Sequence, residues 1–253
     1  MNKNRILFNI YWRAFFVQAL WNYERLQNIG FVYALLPLLR ALYPDPQIRK
    51  KIIMRHMGFF NTHPYMVNVI LGLVASLEED LATGKKVSVE QIVSIKNNMA
   101  GPLAAIGDTF FWGTWRPFIA LLSVSLILFF FRFSNFYGTW LPPVFFLFVY
   151  NLIHLPLRYW SQKIGYRLRG KIVGIIADLE FHHVVDIVRF AGVVVLSIVI
   201  VYYFWAFAGS FEDRVIYLIL FLLTVWSGYL KLSGGIVFYG VLFFSIGLFW
   251  IKG

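Results

Sequence analysis

Residues 101–117 read GPLAAIGDTFFWGTWRP. The stretch is apolar enough to enter a membrane, yet glycine recurs at Gly101, Gly107 and Gly113, and proline stands near each end, at Pro102 and Pro117. It holds one acid, Asp108, and one base, Arg116. A charge costs at least ~2.5 kcal/mol at the centre of a bilayer, so it is carried there mainly to meet a partner or a water-filled cavity. Interrupted helices of this composition line the substrate sites of transporters. The stretch therefore predicts a broken, re-entrant helix that carries a polar site within an all-α membrane protein.

The rest of the chain supports a membrane setting. Of its 253 residues, 60% are hydrophobic and 20% aromatic, and only 14% are charged, against about 25% in soluble domains. Cysteine is absent, which excludes disulfides, thiolate metal sites and cysteine nucleophiles. The formal net charge is +11. In so apolar a chain that excess belongs to segments that flank spans on the cytoplasmic side and face anionic lipid, not to nucleic acid. The first residues, MNKNRILFNIYWRAFF, lack a small-residue cleavage site and are not read as a signal peptide.

Two regions differ in character. Residues 1–100 hold twelve Lys/Arg and six Asp/Glu, half of all the charges. Their apolar runs, 6–20, 31–42 and 65–77, fall short of the ~20 residues that span a bilayer. They predict amphipathic, interfacial or re-entrant helices, largely cytoplasmic or interfacial. Residues 101–253 predict the membrane domain, with apolar runs at 118–131, 141–157, 191–208, 215–229 and 236–251, about five transmembrane helices in all. The basic block Arg158, Lys163, Arg167, Arg169 and Lys171 predicts the cytoplasmic side, which places 134–140 and 209–214 outside.

Polar residues gather in three clusters. In WNYERLQN at 21–28, a helical reading puts Glu24 and Asn28 on one face, with Asn22, Trp21 and Tyr23 nearby. Acceptors and amides beside aromatic rings suit a sugar; the competing reading is an interfacial aromatic belt with a solvated Glu24–Arg25 pair. In FFNTHPY at 59–65, Asn-Thr-His-Pro is a turn in which Asn61 or Thr62 caps the next helix and Pro64 takes its first turn. His63 is either a hydrogen-bonding residue or a proton or phosphoryl carrier, although no carboxylate lies near it in sequence. Asp108, the third centre, pairs with Arg116, caps the following turn or contacts a ligand.

Glu78-Glu79-Asp80 reads as a solvated helix end rather than a metal site. His182 and His183, near Asp178, Glu180 and Asp186, read as a cytoplasmic face. With no Gly-rich phosphate loop, nucleophile elbow or zincin motif, no catalytic residue, cofactor or metal is expected.

Taken together, WNYERLQNIGF (21–31), LYP (42–44), RHMGFFNTHPY (55–65), ILGLVASLEE (70–79), the 101–117 stretch and YNLIHLPLRYWSQKIGY (150–166) carry a resemblance. Over nearly the whole chain, in order and spacing, they resemble the IID component of the mannose-type sugar phosphotransferase permeases. The resemblance implies a multi-pass subunit of the bacterial inner membrane that pairs with a IIC subunit, the pairs assembling into trimers. The pair binds a hexose and carries it inward. Cytoplasmic IIA and IIB relay phosphate from phosphoenolpyruvate, and IIB phosphorylates the sugar, so a IID chain carries no phosphorylated residue. Chemistry and motif position nominate Trp21, Asn22, Glu24, Asn28, Asn61, His63 and Asp108 for the polar path, with Trp112 as a further stacking surface. Three departures stand out: Thr109 where the family commonly has proline, Tyr150 where it has Phe, and only 209–214 where many members carry a soluble insertion. They leave open an alternative, a IID-like interaction or regulatory protein that moves no sugar.

Overall fold

Side-chain caps set where three of the first five helices start. Asn2 accepts the Arg5 N–H at 3.2 Å and opens α1 (Lys3–Arg13), which tightens into a 3₁₀ turn at Ala14–Phe16. Helix α2 covers Asn28–Leu42. Asp45 Oδ1 accepts from the Gln47 and Ile48 amides at 2.7 and 3.3 Å, and Pro46 takes the first position of α3 (Pro46–His56), where its missing N–H costs nothing. Helix α4 covers Val67–Ala82. Ser88 and Gln91 close a reciprocal capping box (3.2 and 3.0 Å) that starts α5 (Val89–Gly107). A π-helix, Asp108–Trp115, leads directly into α6 (Arg116–Phe130). Then follow α7 (Asn135–Leu168), α8 (Lys171–Ala177), α9 (Phe181–Phe207) and α10 (Phe211–Tyr229). This computed structural model describes residues 2–130, 135–177, 181–207 and 210–230, with 236, 239, 240 and 243 beyond them. Among the described residues there is no β-strand, only isolated bridges, so the all-α expectation holds.

The chain forms two compact units, 1–192 and 193–253. In the first, α4 is the central element: every residue from Val67 to Asp80 is buried. Its sequence VNVILGLVASL is apolar all round because α1, α2, α5 and α7 all pack on it. The tightest approach is to α7. A Cβ on Gly72 would lie 2.0 Å from the Gln162 carbonyl oxygen, and one on Gly165 would lie 2.4 Å from that of Val69. Only glycine lets the two backbones meet there. Phe31, Leu35 and Leu38 of α2, with Leu7 and Ile10 of α1, complete this core. Each fully buried side chain of this kind contributes roughly 1.5–3 kcal/mol.

Among the described residues, three helical stretches are long and apolar enough to cross a membrane: Val89–Leu128 with 40 residues, Thr139–Leu168 with 30 and Phe181–Tyr202 with 22. At ~1.5 Å per residue the first is about 60 Å long, twice the hydrocarbon thickness. Two expectations change here. The expected break within 101–117 is not a break: the chain stays helical and widens into π turns, with Pro102 inside α5. The apolar run 141–157 belongs to a longer helix that ends at Leu168 and carries Arg158 within it. The expected run 215–229 falls in α10, whose shorter apolar stretch is Arg214–Leu223, and 236–251 lies outside the described residues apart from four positions. In the second unit Val193, Leu196 and Ile198 of α9 and Leu218, Leu222 and Trp226 of α10 are exposed.

Candidate functional site

Residues 21–27 form a loop, not a helix. Asn22 and Leu26 exchange backbone hydrogen bonds at 3.0 Å each, and Leu26 takes a left-handed φ of 56°. The Asn22 side chain accepts the Arg25 N–H at 2.8 Å, the local competition with helix that asparagine favours. Glu24 and Asn28 consequently share no face. Glu24 stands exposed in an ion pair with Arg25 (2.9 Å), as in the solvated-pair reading. Asn28, buried at the start of α2, accepts from Asn22 Nδ2 at 2.9 Å and donates to the Met57 carbonyl at 2.8 Å. Trp21 and Tyr23 are exposed and meet edge to face at 4.8 Å.

A residue that sequence reasoning passed over joins this loop to the next segment. Gln27 is buried, and its amide donates to the Thr62 carbonyl (2.8 Å) while its Oε1 accepts the Thr62 N–H (3.1 Å). One glutamine thus satisfies both backbone polar groups of a buried residue. Its place inside the WNYERLQN motif was the only signal.

Thr62 does not cap α4. Its hydroxyl donates to the Ala100 carbonyl of α5 at 3.0 Å. The turn is made by His63, whose carbonyl accepts from Met66 and Val67 (2.9 and 3.1 Å) and whose Nδ1 accepts the Tyr65 N–H (3.2 Å). The imidazole is buried and sits against Gly107, where a Cβ would come within 2.3 Å of its Cγ. It stacks on Phe111 (5.3 Å, 15°) and meets Trp112 and Tyr65 edge-on at 4.8 and 5.0 Å. Burial, and secondarily the Arg158 charge, lower its pKa to about 4, so the ring is neutral near pH 7. With Nδ1 accepting, the proton sits on Nε2, which has no hydrogen-bond partner among the described residues. Asn61 is exposed beside it.

The π-helix completes the site. The Arg116 N–H bonds the Phe111 carbonyl, five residues back, and the Thr114 hydroxyl bonds the Thr109 carbonyl at 2.8 Å. π turns are rare and frequent at functional sites. Phe110 and Phe111 face inward against Tyr65, Phe181 and Val185, whereas Asp108, Trp112 and Gly113 are exposed. Asp108 closes α5 through its backbone N–H, but its side chain makes no cap and no ion pair among the described residues, with Arg116 or otherwise. Of the nominated residues, Trp21, Glu24, Asn61 and Asp108 are therefore at the surface. Asn22 is half-buried, and Asn28 and His63 are inside.

A polar network lies behind this surface. Tyr65 and Tyr150 share a hydroxyl hydrogen bond (3.1 Å), and the Tyr65 ring stacks on His154 at 4.3 Å. Arg158 donates to Asn68 (3.0 Å), Asn68 to Gln162 (3.0 Å), and Gln162 to the Leu7 carbonyl (2.6 Å). Arg158 is only 3% exposed, its guanidinium 3.9 Å from the Phe15 ring centroid. It is thus no member of a solvated basic block. Tyr150, His154 and Arg158 recur every four residues, so one face of α7 carries them all.

The acidic run at the end of α4 also differs from expectation: all three residues are buried. Glu78 accepts from His56 Nε2 (2.9 Å), Tyr43 (3.0 Å) and Arg55. Glu79 meets Lys3 at 2.5 Å and Tyr166. Asp80 meets Lys85 at 2.7 Å and Arg169 at 3.2 Å. Burial works against the Glu78 carboxylate, but His56, Arg55 and Tyr43 outweigh it and hold its pKa below the usual range. Burial and then Glu78 push Tyr43 up to about 12. Among the described residues no group of three His, Cys, Asp or Glu is placed to hold a metal ion.

Comparison with known proteins points one way. The family model for the IID component of the mannose/fructose/sorbose phosphotransferase system matches residues 3–212. The mannose-specific EIID component of Escherichia coli K12 is 37% identical over 171 residues, 67% of this chain and 56% of that protein. The fructose permease IID component of Bacillus subtilis is 35% identical over 63% of this chain and 55% of its own length. The chain thus spans little more than half the length of these curated relatives. A solved chain described as a membrane protein superposes with a TM-score of 0.75 at 27% identity, covering 97% of this chain and 95% of that one. A cryo-EM structure of the mannose transporter ManYZ with microcin E492 gives 0.60 at 27% identity, covering 98% and 96%. This chain belongs to the IID family of mannose/fructose/sorbose phosphotransferase systems.

Proposed function

We propose that the chain is the IID subunit of a sugar phosphotransferase permease, forming with a IIC subunit the path of a hexose that IIB phosphorylates. One observation carries the reading. In a chain with long apolar helices, a carboxylate with no ion pair among the described residues, Asp108, stands exposed on a π-helix that also carries exposed Trp112. Beside it lies a second segment, 61–65, whose His63 packs on that helix. A carboxylate accepts from sugar hydroxyls, and an indole covers the C–H face of the ring.

The nominated residues divide by access. Asp108, Asn61, Glu24 and Trp21 contact the sugar or the IIC subunit, whereas Asn22, Asn28 and His63 hold the two segments together. Residues 1–100 form the interfacial and re-entrant part, and residues 101–253 the membrane domain of about five spans. The basic ends, at Lys85–Lys86 and Arg169–Lys171, face the cytoplasm. The subunit sits in a bacterial inner membrane as a trimer of IIC–IID pairs, in contact with anionic lipid and served by IIB and IIA. No catalytic residue of its own is involved.

The test is co-purification with IIC, followed by binding and uptake of labelled hexose. Wild type should bind and transport, and Asp108→Ala should lose uptake while still inserting and pairing. A stable pair that binds no hexose would overturn the permease reading. Unchanged uptake in the variant would remove Asp108 from the path.

A further inference from the structure

We propose that Thr114 is a positioning residue: its hydroxyl holds the π-helix in register and so sets the direction in which Asp108 and Trp112 face. The inference deepens the permease reading and rests on it only for its uptake measurement.

The evidence is a contrast among hydroxyl side chains in helices. A Ser or Thr inside an α-helix bonds the carbonyl three or four residues back. Ser123 does so to Ile119, Ser125 to Leu121 and Ser197 to Val193, each at 2.8 Å with a separation of four. Thr114 also bonds at 2.8 Å, but to Thr109, five residues back. Its side chain therefore repeats the i→i+5 pattern of the surrounding backbone. Thr114 is 3% exposed, so water cannot replace that bond.

Neighbouring contacts make the register matter. The Gly107 backbone abuts the His63 ring at one end of the wide segment. Phe111 stacks on His63, and Phe110 packs on Phe181 at 5.1 Å. One side of the π-helix is thus fixed by packing, whereas Asp108, Trp112 and Gly113 reach the surface, Trp112 with an edge still against His63. Tightening to α-helical turns rotates the residues before the segment relative to those after it. Phe110 and Phe111 then cannot keep their contacts while Asp108 keeps its direction.

The experiment uses the absence of native cysteine. In the full chain with its IIC partner in vesicles, Asp108→Cys is the sole thiol of this subunit, IIC being made cysteine-free. Its labelling rate with a membrane-impermeant maleimide is compared with those of Asp108→Cys/Thr114→Val and Asp108→Cys/Thr114→Ser. The Val variant should change the rate about fivefold, the worth of one intramolecular hydrogen bond, and the Ser variant should match the parent. With Asp108 restored, Thr114→Val should raise the KM for hexose about fivefold with Vmax within about twofold, and Thr114→Ser should rescue it. If Thr114→Val does not insert, Thr114→Ala, which only removes atoms, serves in its place. A labelling rate indifferent to loss of the hydroxyl, or a Ser variant that behaves like Val, overturns the proposal. Absence of hexose uptake by wild type would instead overturn the permease reading and leave the labelling comparison intact.

Discussion

The two ends of α4 use charge in opposite ways. At its C-terminal end Glu78, Glu79 and Asp80 are buried, and each is matched by basic or hydroxyl groups from other segments. Near its N-terminal end the chain turns at His63 against the π-helix, where Asp108 is exposed without an ion pair among the described residues. Buried charge that is fully matched fixes a structure. Exposed charge left unmatched in an otherwise apolar region is available to a ligand or a partner subunit. The sharpest way to break the contrast is Glu78→Ala. It strands Arg55 and His56 beside an emptied acid position, and removing one partner of a buried pair costs about 3–5 kcal/mol. Denaturation of the detergent-solubilised subunit should show that loss, whereas Asp108→Ala should shift stability by less than about 0.5 kcal/mol. Equal effects would mean that the two ends do not differ in kind.

Acid should weaken the histidines before the carboxylates. The folded pKa of His63, about 4, lies below its ordinary value of 6.5. The stability gained by keeping the ring neutral is therefore complete above pH 6.5 and is lost as pH falls from 6.5 to 4. The difference amounts to about 3 kcal/mol. Burial lowers His56 in the same direction, so a second contribution, at the acidic end of α4, is also lost as pH falls below 6.5. Glu78 and Glu79 are held below the usual carboxylate range. Their contribution stays complete above ~4.5 and is lost only at lower pH. Thermal unfolding of wild type should weaken in two stages. His63→Gln should reduce the slope of the first stage to the part due to His56 and leave the second, and an unchanged slope between pH 6.5 and 4 would remove His63 from this account.

What the sequence disclosed, and what it hid, follows the range of the interactions. Helix was legible in the runs 6–20, 31–42 and 65–77 because apolar spacing is local, although α1 ends at Arg13 and residues 17–20 lie in turns, and the family was legible because its motifs are long. The loop at 21–27 was misread as helix, although Asn22, which bonds the Arg25 N–H, was the clue. The acids at 78–80 looked solvated because their partners lie far along the chain, at Lys3, Arg55 and Arg169. Arg158 looked like a flanking charge because Asn68, 90 residues away, supplies its acceptor. The π-helix was hidden for a different reason: the apolar pattern of FFWGTW does not distinguish a carbonyl four residues back from one five back.

The smallest expected effect tests how complete the matching at the acidic end is. Arg169 has a φ of 52°, a left-handed conformation that costs a non-glycine residue roughly 1–2 kcal/mol. Its side chain is 46% exposed, and its 3.2 Å pair with Asp80 is worth at most ~1 kcal/mol after solvent screening. Arg169→Ala keeps the strain and loses the pair, so it should destabilise by up to ~1 kcal/mol. Arg169→Gly loses the pair but relieves the strain, leaving stability within about 0.5 kcal/mol of wild type. If Ala proves neutral and Gly stabilising, the pair contributes nothing, and Lys85 at 2.7 Å is enough to satisfy Asp80. The matching of Asp80 would then rest on one lysine, and the strained arginine would need another explanation than its contact with Asp80.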